Sequence, residues 1–175
     1  ALASSPFLWH MLKPYQQKRL LVFLNPSIDP IGASYTAIQS KIAVGAGGLF
    51  GKGWLQGTQT QLDFVPEHHT DFIFSVIAEE FGFLGGFFVV LMFAVLIAYM
   101  FQIMQHTTDL RGRFLGIGIA ALFFFQVFVN IGMTIGLAPI TGITLPFLSY
   151  GGSSLASTFF AIGLLVSVHR ERSIF

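Results

Sequence analysis

The sequence has 175 residues, of which 54% are hydrophobic and only 10% are charged, and its mean hydropathy is +0.73. Because a soluble domain carries about 25% charged residues, this composition argues against an ordinary soluble domain and indicates a membrane protein. The net charge of +1 gives no indication of a nucleic-acid partner, and the lack of cysteine excludes disulfides, a thiol nucleophile and cysteine-ligated zinc.

Charged side chains are concentrated in the first half of the sequence, ahead of the long apolar segments. We interpret residues 1–12 as the end of a preceding transmembrane helix, and residues 13–81 as an extracytoplasmic loop with short helices. Since the first residue is not methionine, we expect the chain to be a fragment of a longer protein. The basic and partly amphipathic stretch "KPYQQKRLLVFL" predicts a short helix at the membrane interface.

Three later segments are apolar enough to cross a bilayer, which takes about 20 residues. No acidic, basic or histidine side chain occurs from Phe114 to Val168. Arginines lie in both short flanking segments, so the positive-inside rule assigns these flanks to the cytoplasm. The predicted order is a transmembrane helix at 82–104, a cytoplasmic loop at 105–113, a transmembrane helix at 114–138, an extracytoplasmic loop or re-entrant segment at 139–153, a transmembrane helix at 154–168 and a cytoplasmic tail at 169–175. This order predicts an all-α, polytopic helical membrane protein.

The glycine-rich stretch "AVGAGGLFGKG" resembles a phosphate-binding loop, but its residue spacing does not match the Walker A pattern. The Walker A pattern would need glycine at the position of Ala46 and serine or threonine at the position of Gly53. A flexible turn is one interpretation. Another remains open, in which backbone N–H groups together with Lys41 and Lys52 hold an anionic headgroup or a diphosphate.

The stretch "PEHHTD" contains possible zinc ligands, but adjacent histidines are poorly placed for one ion. Successive side chains on a helix point about 100° apart, so His68 and His69 do not converge easily. Asp63, Glu67 and Asp71 are spaced four residues apart, a pattern that fits Mg²⁺ bound to a diphosphate. Pro66 argues against one continuous helix through all three, which weakens this hypothesis.

Asp71 is the acidic residue that the sequence singles out most clearly. Pro66 predicts the start of a helix with Asp71 in its early turns and an end at Gly82, and a helix N-terminus stabilises an ionised carboxylate. Such a carboxylate at the membrane surface can act as a general base, or it can simply cap a solvated helix end. Glu79 would lie about 80° from Asp71 around the same helix. From the residues alone, both interpretations stay open.

Polar residues also occur within the apolar second half. Gln126 and Asn130 interrupt a phenylalanine-rich span, where a polar side chain either bonds across helices or marks a functional site. The stretch "LPFLSYGGSS", which includes Ser149, predicts a break in helical structure. Because non-helical backbone at membrane depth must be covered by protein or line a cavity, we expect this stretch to form part of a cleft wall.

Three stretches, in this order, resemble the SEDS family (shape, elongation, division and sporulation) of membrane peptidoglycan polymerases. They are "QSKIAVGAGGLFGKGWLQGTQTQLDFVPEHHTDFIFSVIAEEFGFLG", "FVNIGM" and "LPFLSYGGSS". The first is closer to the rod-shape branch of the family than to the division branch. The resemblance covers essentially the whole chain but only the C-terminal half of a family member, which implies a partial SEDS fold with a large extracytoplasmic loop. Val65 and Asn25 depart from the family pattern, and neither touches the chemistry that it implies.

The resemblance implies a multi-pass enzyme of the bacterial inner membrane that polymerises lipid II into glycan strands during cell elongation. Asp71 matches the family's catalytic aspartate, on the extracytoplasmic face, where it deprotonates the acceptor hydroxyl or helps to hold a divalent cation (Mg²⁺ or Mn²⁺). Supporting residues are Glu67 and Glu79. Candidates for binding the substrate or its diphosphate are Lys41, Lys52, Gln59, Asn130 and Ser149. We expect this half of the protein to be inactive alone, because part of the substrate groove belongs to the other half.

The resemblance also implies partners: a class B penicillin-binding protein, other membrane proteins of the elongation complex, lipid II and membrane lipids. Two other functions remain open, a flippase for lipid-linked precursors and a non-catalytic scaffold for a penicillin-binding protein. A flippase needs a polar path across the membrane, so the charge-free second half favours the enzyme. A scaffold predicts that Asp71 is dispensable.

Overall fold

The computed structural model of the protein describes residues 13–25, 33–58, 70–107 and 109–171. Five α helices lie wholly within these ranges, and the described residues form no β-strand. The helices are α1 (Pro14–Leu24), α2 (Ala33–Ala46), α3 (Ile73–His106), α4 (Leu110–Ile135) and α5 (Gly152–Glu171). The predicted all-helical class is therefore confirmed.

Three of these helices, α3, α4 and α5, are long and apolar enough to cross a membrane. They coincide with the three predicted spans but extend beyond most of the predicted ends. Hydropathy marks only the apolar part of a helix, whereas backbone hydrogen bonding continues into the polar flanks. α3 extends furthest, because its 34 residues also include the short helix that was predicted to end before the span.

The long helices pack through two clusters of buried side chains, one toward each end of the bundle, and α5 takes part only in the first. One cluster joins α3, α4 and α5 through Met100, Met104, Phe123 and Leu165, with Ile103, Ile119 and Ala120. The other contains Phe74, Phe93, Val127 and Leu145 and lies beside the start of α3. The second cluster thus fixes the start of α3 against α4 and the segment that follows α4.

α3 is interrupted at Gly82, whose φ of 68° and ψ of −162° are not helical. Such an interruption leaves carbonyl groups before it and N–H groups after it without partners in the helix. The loop that follows α2 provides the missing partners. The four backbone bonds are Lys52 N–H to Glu79 O (3.0 Å), Gly53 N–H to Glu80 O (3.0 Å), Phe83 N–H to Gly48 O (2.8 Å) and Leu84 N–H to Leu49 O (3.2 Å). The glycine-rich loop therefore completes the hydrogen bonding of the broken helix.

Glycine is required in this loop because its backbone lies directly against the backbone of α3. A Cβ atom added at Gly47 would overlap the carbonyl of Ala78, and one added at Gly51 would overlap the carbonyl of Glu80. Gly51 also has a φ of 79°, in the region that other residues rarely adopt. Steric contact and backbone conformation thus both favour glycine at this position.

We predict that Gly51→Ala destabilises the protein by about 1–3 kcal/mol, because the new methyl group displaces the loop from α3 and strains the backbone. The midpoint of thermal unfolding in detergent solution measures the effect. Gly118→Ala is the matched control, since Gly118 lies within α4 and a Cβ there meets nothing within 4 Å. If Gly51→Ala unfolds at the same temperature as Gly118→Ala or higher, the loop does not need glycine there.

Candidate functional site

Asp71 lies in a turn immediately before α3, and its side chain is half-buried. The prediction that it occupies the early turns of a helix is wrong, because α3 begins at Ile73 with Phe72 as its N-cap. Ser75 stabilises this start, since both its N–H (3.0 Å) and its hydroxyl (2.7 Å) donate to the Phe72 carbonyl. Asp71 is therefore on irregular backbone, whose carbonyl groups need partners from elsewhere in the molecule.

Asn130 provides one of these partners from within α4. Its side chain is fully buried, and its Nδ2 donates both to the carbonyl of Asp71 (2.9 Å) and to the carbonyl of Ile143 (2.6 Å). Both hydrogens of the amide are thus used to join the Asp71 turn to the segment after α4. Asn130, predicted as a substrate-binding candidate, has a backbone-holding role in the structure.

Ser149 provides a second connection to the same turn. Its hydroxyl donates to the carbonyl of Thr70 (2.6 Å) and accepts from the N–H of Leu145 (2.7 Å). The segment around it, residues 136–151, is non-helical, as the sequence predicted for "LPFLSYGGSS", and Phe147 in it has a φ of 63°. Ser149 therefore joins this irregular segment to the backbone beside Asp71.

The carboxylate of Asp71 faces the same segment at Gly142. A Cβ atom added to Gly142 would lie 3.2 Å from Asp71 Oδ2, and the φ of Gly142 is 75°. Glycine at position 142 therefore lets this segment approach the carboxylate closely, and the backbone of Asp71 is held by α4 and by the same segment. A carboxylate in such a position can accept a proton from a bound hydroxyl group or contribute to a cation site.

Glu79 and Lys52 form a second polar group, at the junction of the glycine-rich loop and α3. Lys52 Nζ lies 2.8 Å from Glu79 Oε1, and the Glu79 side chain is wholly buried. Lys52 Nζ also donates to the hydroxyl of Thr58 (2.8 Å). Removing one partner of such a pair leaves an uncompensated buried charge. Lys52, predicted to bind a diphosphate, thus already has a carboxylate partner, and Glu79 has a partner other than Asp71.

Lys41, the other predicted diphosphate ligand, is an exposed residue of α2. Its side chain crosses Gly136, the left-handed residue that ends α4. Arg19 of α1 is close to this region and donates from Nη1 to the carbonyl of Ile140 (3.1 Å). Sequence reasoning did not select Arg19; its position in the predicted interfacial helix was the only available signal.

Two predicted site residues, Gln59 and Glu67, lie outside the described residues, as do Asp63, His68 and His69. Within the described ranges, no three histidine or acidic side chains come together as a possible metal site. Asp71 alone would leave a divalent cation short of protein ligands. The divalent cation therefore stays a prediction that depends on residues 59–69.

The family model described as "Cell cycle protein", which represents FtsW, RodA and SpoVE, matches residues 1–174. The chain belongs to this family, the SEDS family that the motifs indicated. With three helices of spanning length, it is a multi-pass membrane protein.

Curated relatives come from several branches of the family. Peptidoglycan glycosyltransferase RodA of Treponema pallidum is 48% identical over 162 residues, covering 93% of this chain and 37% of the relative. Peptidoglycan glycosyltransferase MrdB of Escherichia coli K12 is 46% identical over 173 residues (98% and 47%), and stage V sporulation protein E of Bacillus subtilis is 48% identical over 157 residues (90% and 43%). The chain thus spans less than half the length of these relatives.

Two solved structures are similar to the chain. One, from work on a peptidoglycan synthase complex that coordinates polymerization and crosslinking, has a TM-score of 0.77 and 36% identity, and the match covers 98% of this chain and 46% of that one. The other is an aspartate-to-alanine mutant of the rod shape determining protein RodA of Thermus thermophilus. It has a TM-score of 0.59 and 31% identity, with 89% and 54% coverage.

We predict that Asn130→Leu destabilises the full-length protein by about 1–3 kcal/mol for each carbonyl group that loses its donor. The midpoint of thermal unfolding in detergent solution measures this loss. Gln126→Leu is the matched control, because Gln126 lies one turn earlier in α4 and makes no side-chain hydrogen bond within the described part of the chain. Equal midpoints for the two variants would contradict the role assigned to Asn130.

Proposed function

We propose that the full-length protein is a peptidoglycan glycosyltransferase that polymerises lipid II into glycan strands during cell elongation, with Asp71 as its catalytic residue. The observation that carries the proposal is the turn at Thr70–Phe72, which is held by α4 and by the segment after α4 and places the Asp71 carboxylate directly beside Gly142. The names of the relatives from Treponema pallidum and Escherichia coli support the reaction class.

The reaction joins the 4-hydroxyl of an incoming GlcNAc to the anomeric carbon of the growing glycan, which is carried on a lipid diphosphate. Asp71 accepts the proton of the hydroxyl while the oxygen forms its bond to the anomeric carbon. The bond from that carbon to the diphosphate breaks, and the diphosphate leaves with the electron pair. The leaving group carries negative charge that the site must stabilise.

The fixed backbone supports this role for Asp71. Proton transfer from a bound hydroxyl requires a heavy-atom distance of about 2.6–3.2 Å, so a general base must be held in place. Asn130 and Ser149 hold the carbonyl groups of Asp71 and of the residue before it. Since two separate elements contribute these bonds, the backbone that carries the carboxylate is fixed relative to α4 and to the segment after it.

The distribution of basic residues supports an extracytoplasmic position for Asp71. Arg111 and Arg113 lie in the first turn of α4, and His169 and Arg170 lie in the last turn of α5. These residues mark one end of the helix bundle, whereas Asp71 lies at the start of α3, where α4 ends. The positive-inside rule assigns the basic end to the cytoplasm.

A penicillin-binding protein is the partner that this function requires, because polymerised strands must be crosslinked. The similar structure of a complex that couples polymerization to crosslinking supports such a partner. We propose a class B penicillin-binding protein, together with other membrane proteins of the elongation complex. A flippase is less well supported, since the amide hydrogens of the buried Asn130 in α4 are used to hold backbone rather than to form a polar path.

We predict that Asp71→Asn lowers the rate of polymerisation by a factor of about 10²–10⁴, because amide nitrogen and oxygen cannot accept the proton as a carboxylate does. The assay uses the full-length protein with its penicillin-binding protein partner and measures glycan formed from lipid II. Asp109→Asn is the matched control, since Asp109 caps α4 at its other end and asparagine caps equally well. An Asp71→Asn enzyme as active as the control would refute the catalytic assignment.

We predict that a single cysteine replacing Tyr150 is labelled from outside the cell by a membrane-impermeant maleimide. A cysteine replacing Asp109 is labelled only after permeabilisation. Both side chains are exposed, and the chain has no cysteine of its own to compete for the reagent. Labelling of the two positions from the opposite sides would reverse the proposed topology.

A further inference from the structure

A cleft that contains an arginine lies between α1 and the segment that follows α4. We call it the Arg19 cleft; its volume is about 260 Å³, and it is lined by Tyr15, Gln16, Arg19, Leu20, Pro139, Ile140 and Thr141. A smaller cavity of about 30 Å³ adjoins it and shares Arg19, Pro139 and Ile140. Ser34 and Lys41 of α2 line this smaller cavity, so three elements of the protein meet around Arg19.

The two spaces are lined by basic side chains without an acidic one. Arg19 and Lys41 contribute positive charge, and no aspartate or glutamate is among the described residues that line either space. Lys52 is different, because Glu79 neutralises it at 2.8 Å. Basic groups that come together without a carboxylate form a site for an anion, since an anion replaces the missing counter-charge.

Hydrogen-bond donors remain available at this site. One Arg19 nitrogen donates to the carbonyl of Ile140, and the guanidinium lies 6.0 Å from the centre of the Tyr15 ring, which leaves most of its five N–H groups for a ligand. Ser34 is fully buried, and its hydroxyl has no hydrogen-bond partner in the described part of the chain. An unpaired buried hydroxyl is unfavourable, so the smaller cavity suits a water molecule that joins Ser34 to the ligand site.

The Arg19 cleft is close to the candidate catalytic carboxylate. Thr141 lines the cleft, and the next residue, Gly142, faces Asp71 Oδ2. An anion bound by Arg19 is therefore separated from Asp71 by one short piece of backbone. The small cavity has room for water only, so the anion occupies the larger cleft, where Arg19 contacts it directly and Lys41 acts through its charge.

We propose that the Arg19 cleft binds the phosphate groups of a lipid-linked ligand, and that this ligand is the diphosphate of the glycan carrier. Arginine suits this task because its planar guanidinium donates two parallel hydrogen bonds to phosphate oxygens. The identity of the ligand rests on the proposed function, whereas the anion site itself rests on the cleft. An anionic phospholipid headgroup has the same chemistry, and the experiment distinguishes the two sources.

The test measures binding of the full-length protein to a polyprenyl diphosphate in mixed micelles of detergent and phosphatidylcholine. We expect Arg19→Gln to weaken this binding about 10–100-fold, because it removes a charge and a pair of hydrogen bonds. Arg19→Lys keeps the positive charge but lacks the planar guanidinium. We expect its affinity for the diphosphate to lie between those of the unchanged protein and Arg19→Gln. Lys18→Gln is the matched control: it removes one charge from the adjacent position of α1, and Lys18 lines neither space.

Mixed micelles that carry the matching polyprenol, and mixed micelles that carry phosphatidylglycerol, identify the ligand. Arginine-dependent binding to the diphosphate alone supports the carrier, whereas equal arginine-dependent binding to phosphatidylglycerol overturns the carrier in favour of a headgroup. If Arg19→Gln binds the diphosphate as tightly as Lys18→Gln does, the anion site is refuted.

Two further variants keep the test decisive. If Arg19→Gln does not fold, Lys41→Met is tested instead. Lys41 is exposed, and its removal disturbs no hydrogen bond in the described residues. Unchanged diphosphate binding by Lys41→Met would also refute the anion site. Asp71→Asn separates the two proposals. It is expected to bind the diphosphate normally, so a failure of catalysis by Asp71 and a failure of the anion site give different results.

Discussion

The structure depends on one constraint: backbone carbonyl groups in an apolar environment need hydrogen-bond donors. The turn at Asp71 precedes α3, and the segment after α4 is non-helical, so neither can satisfy its own carbonyl groups as a helix does. Asn130 and Ser149 donate to three of these carbonyls. Because an unpaired buried carbonyl is costly, the two polar side chains determine how the irregular segments lie against each other.

The same constraint explains why the glycine-rich loop packs against α3. The loop contacts α3 at Gly82, where the first turns of the helix end. The interruption at Gly82 frees two carbonyls and two N–H groups, and the loop pairs with all four. Close backbone contact makes glycine necessary there, and the buried pair of Lys52 and Glu79 closes the junction. The turn that carries Asp71 thus leads into a short helical segment that is fixed at both ends, which is what a precisely placed carboxylate requires.

Much of this architecture could be predicted from the sequence, because composition and hydropathy directly reflect the membrane environment. The class, the three apolar helices and the break at "LPFLSYGG" follow from local patterns. The partners of Asn130 and Ser149 do not, because the bonds to the Asp71 turn join residues 59 and 79 positions apart. The glycine spacing excluded a Walker loop, but the loop's role depends on a helix break about 30 residues later, which no local pattern reveals. Arg19 was missed because a single arginine in a basic helix does not indicate what it faces.

We propose that the bonds from α4 and from the segment after it act through Asp71, by holding the backbone that carries its carboxylate. The most direct measurement is the polymerisation rate of Ser149→Ala, made both in the otherwise unchanged full-length enzyme and in the Asp71→Asn variant. We predict that Ser149→Ala slows the unchanged enzyme but causes no further loss when the carboxylate is already absent. An equal fractional loss in both backgrounds would contradict it, because Ser149 would then act independently of Asp71.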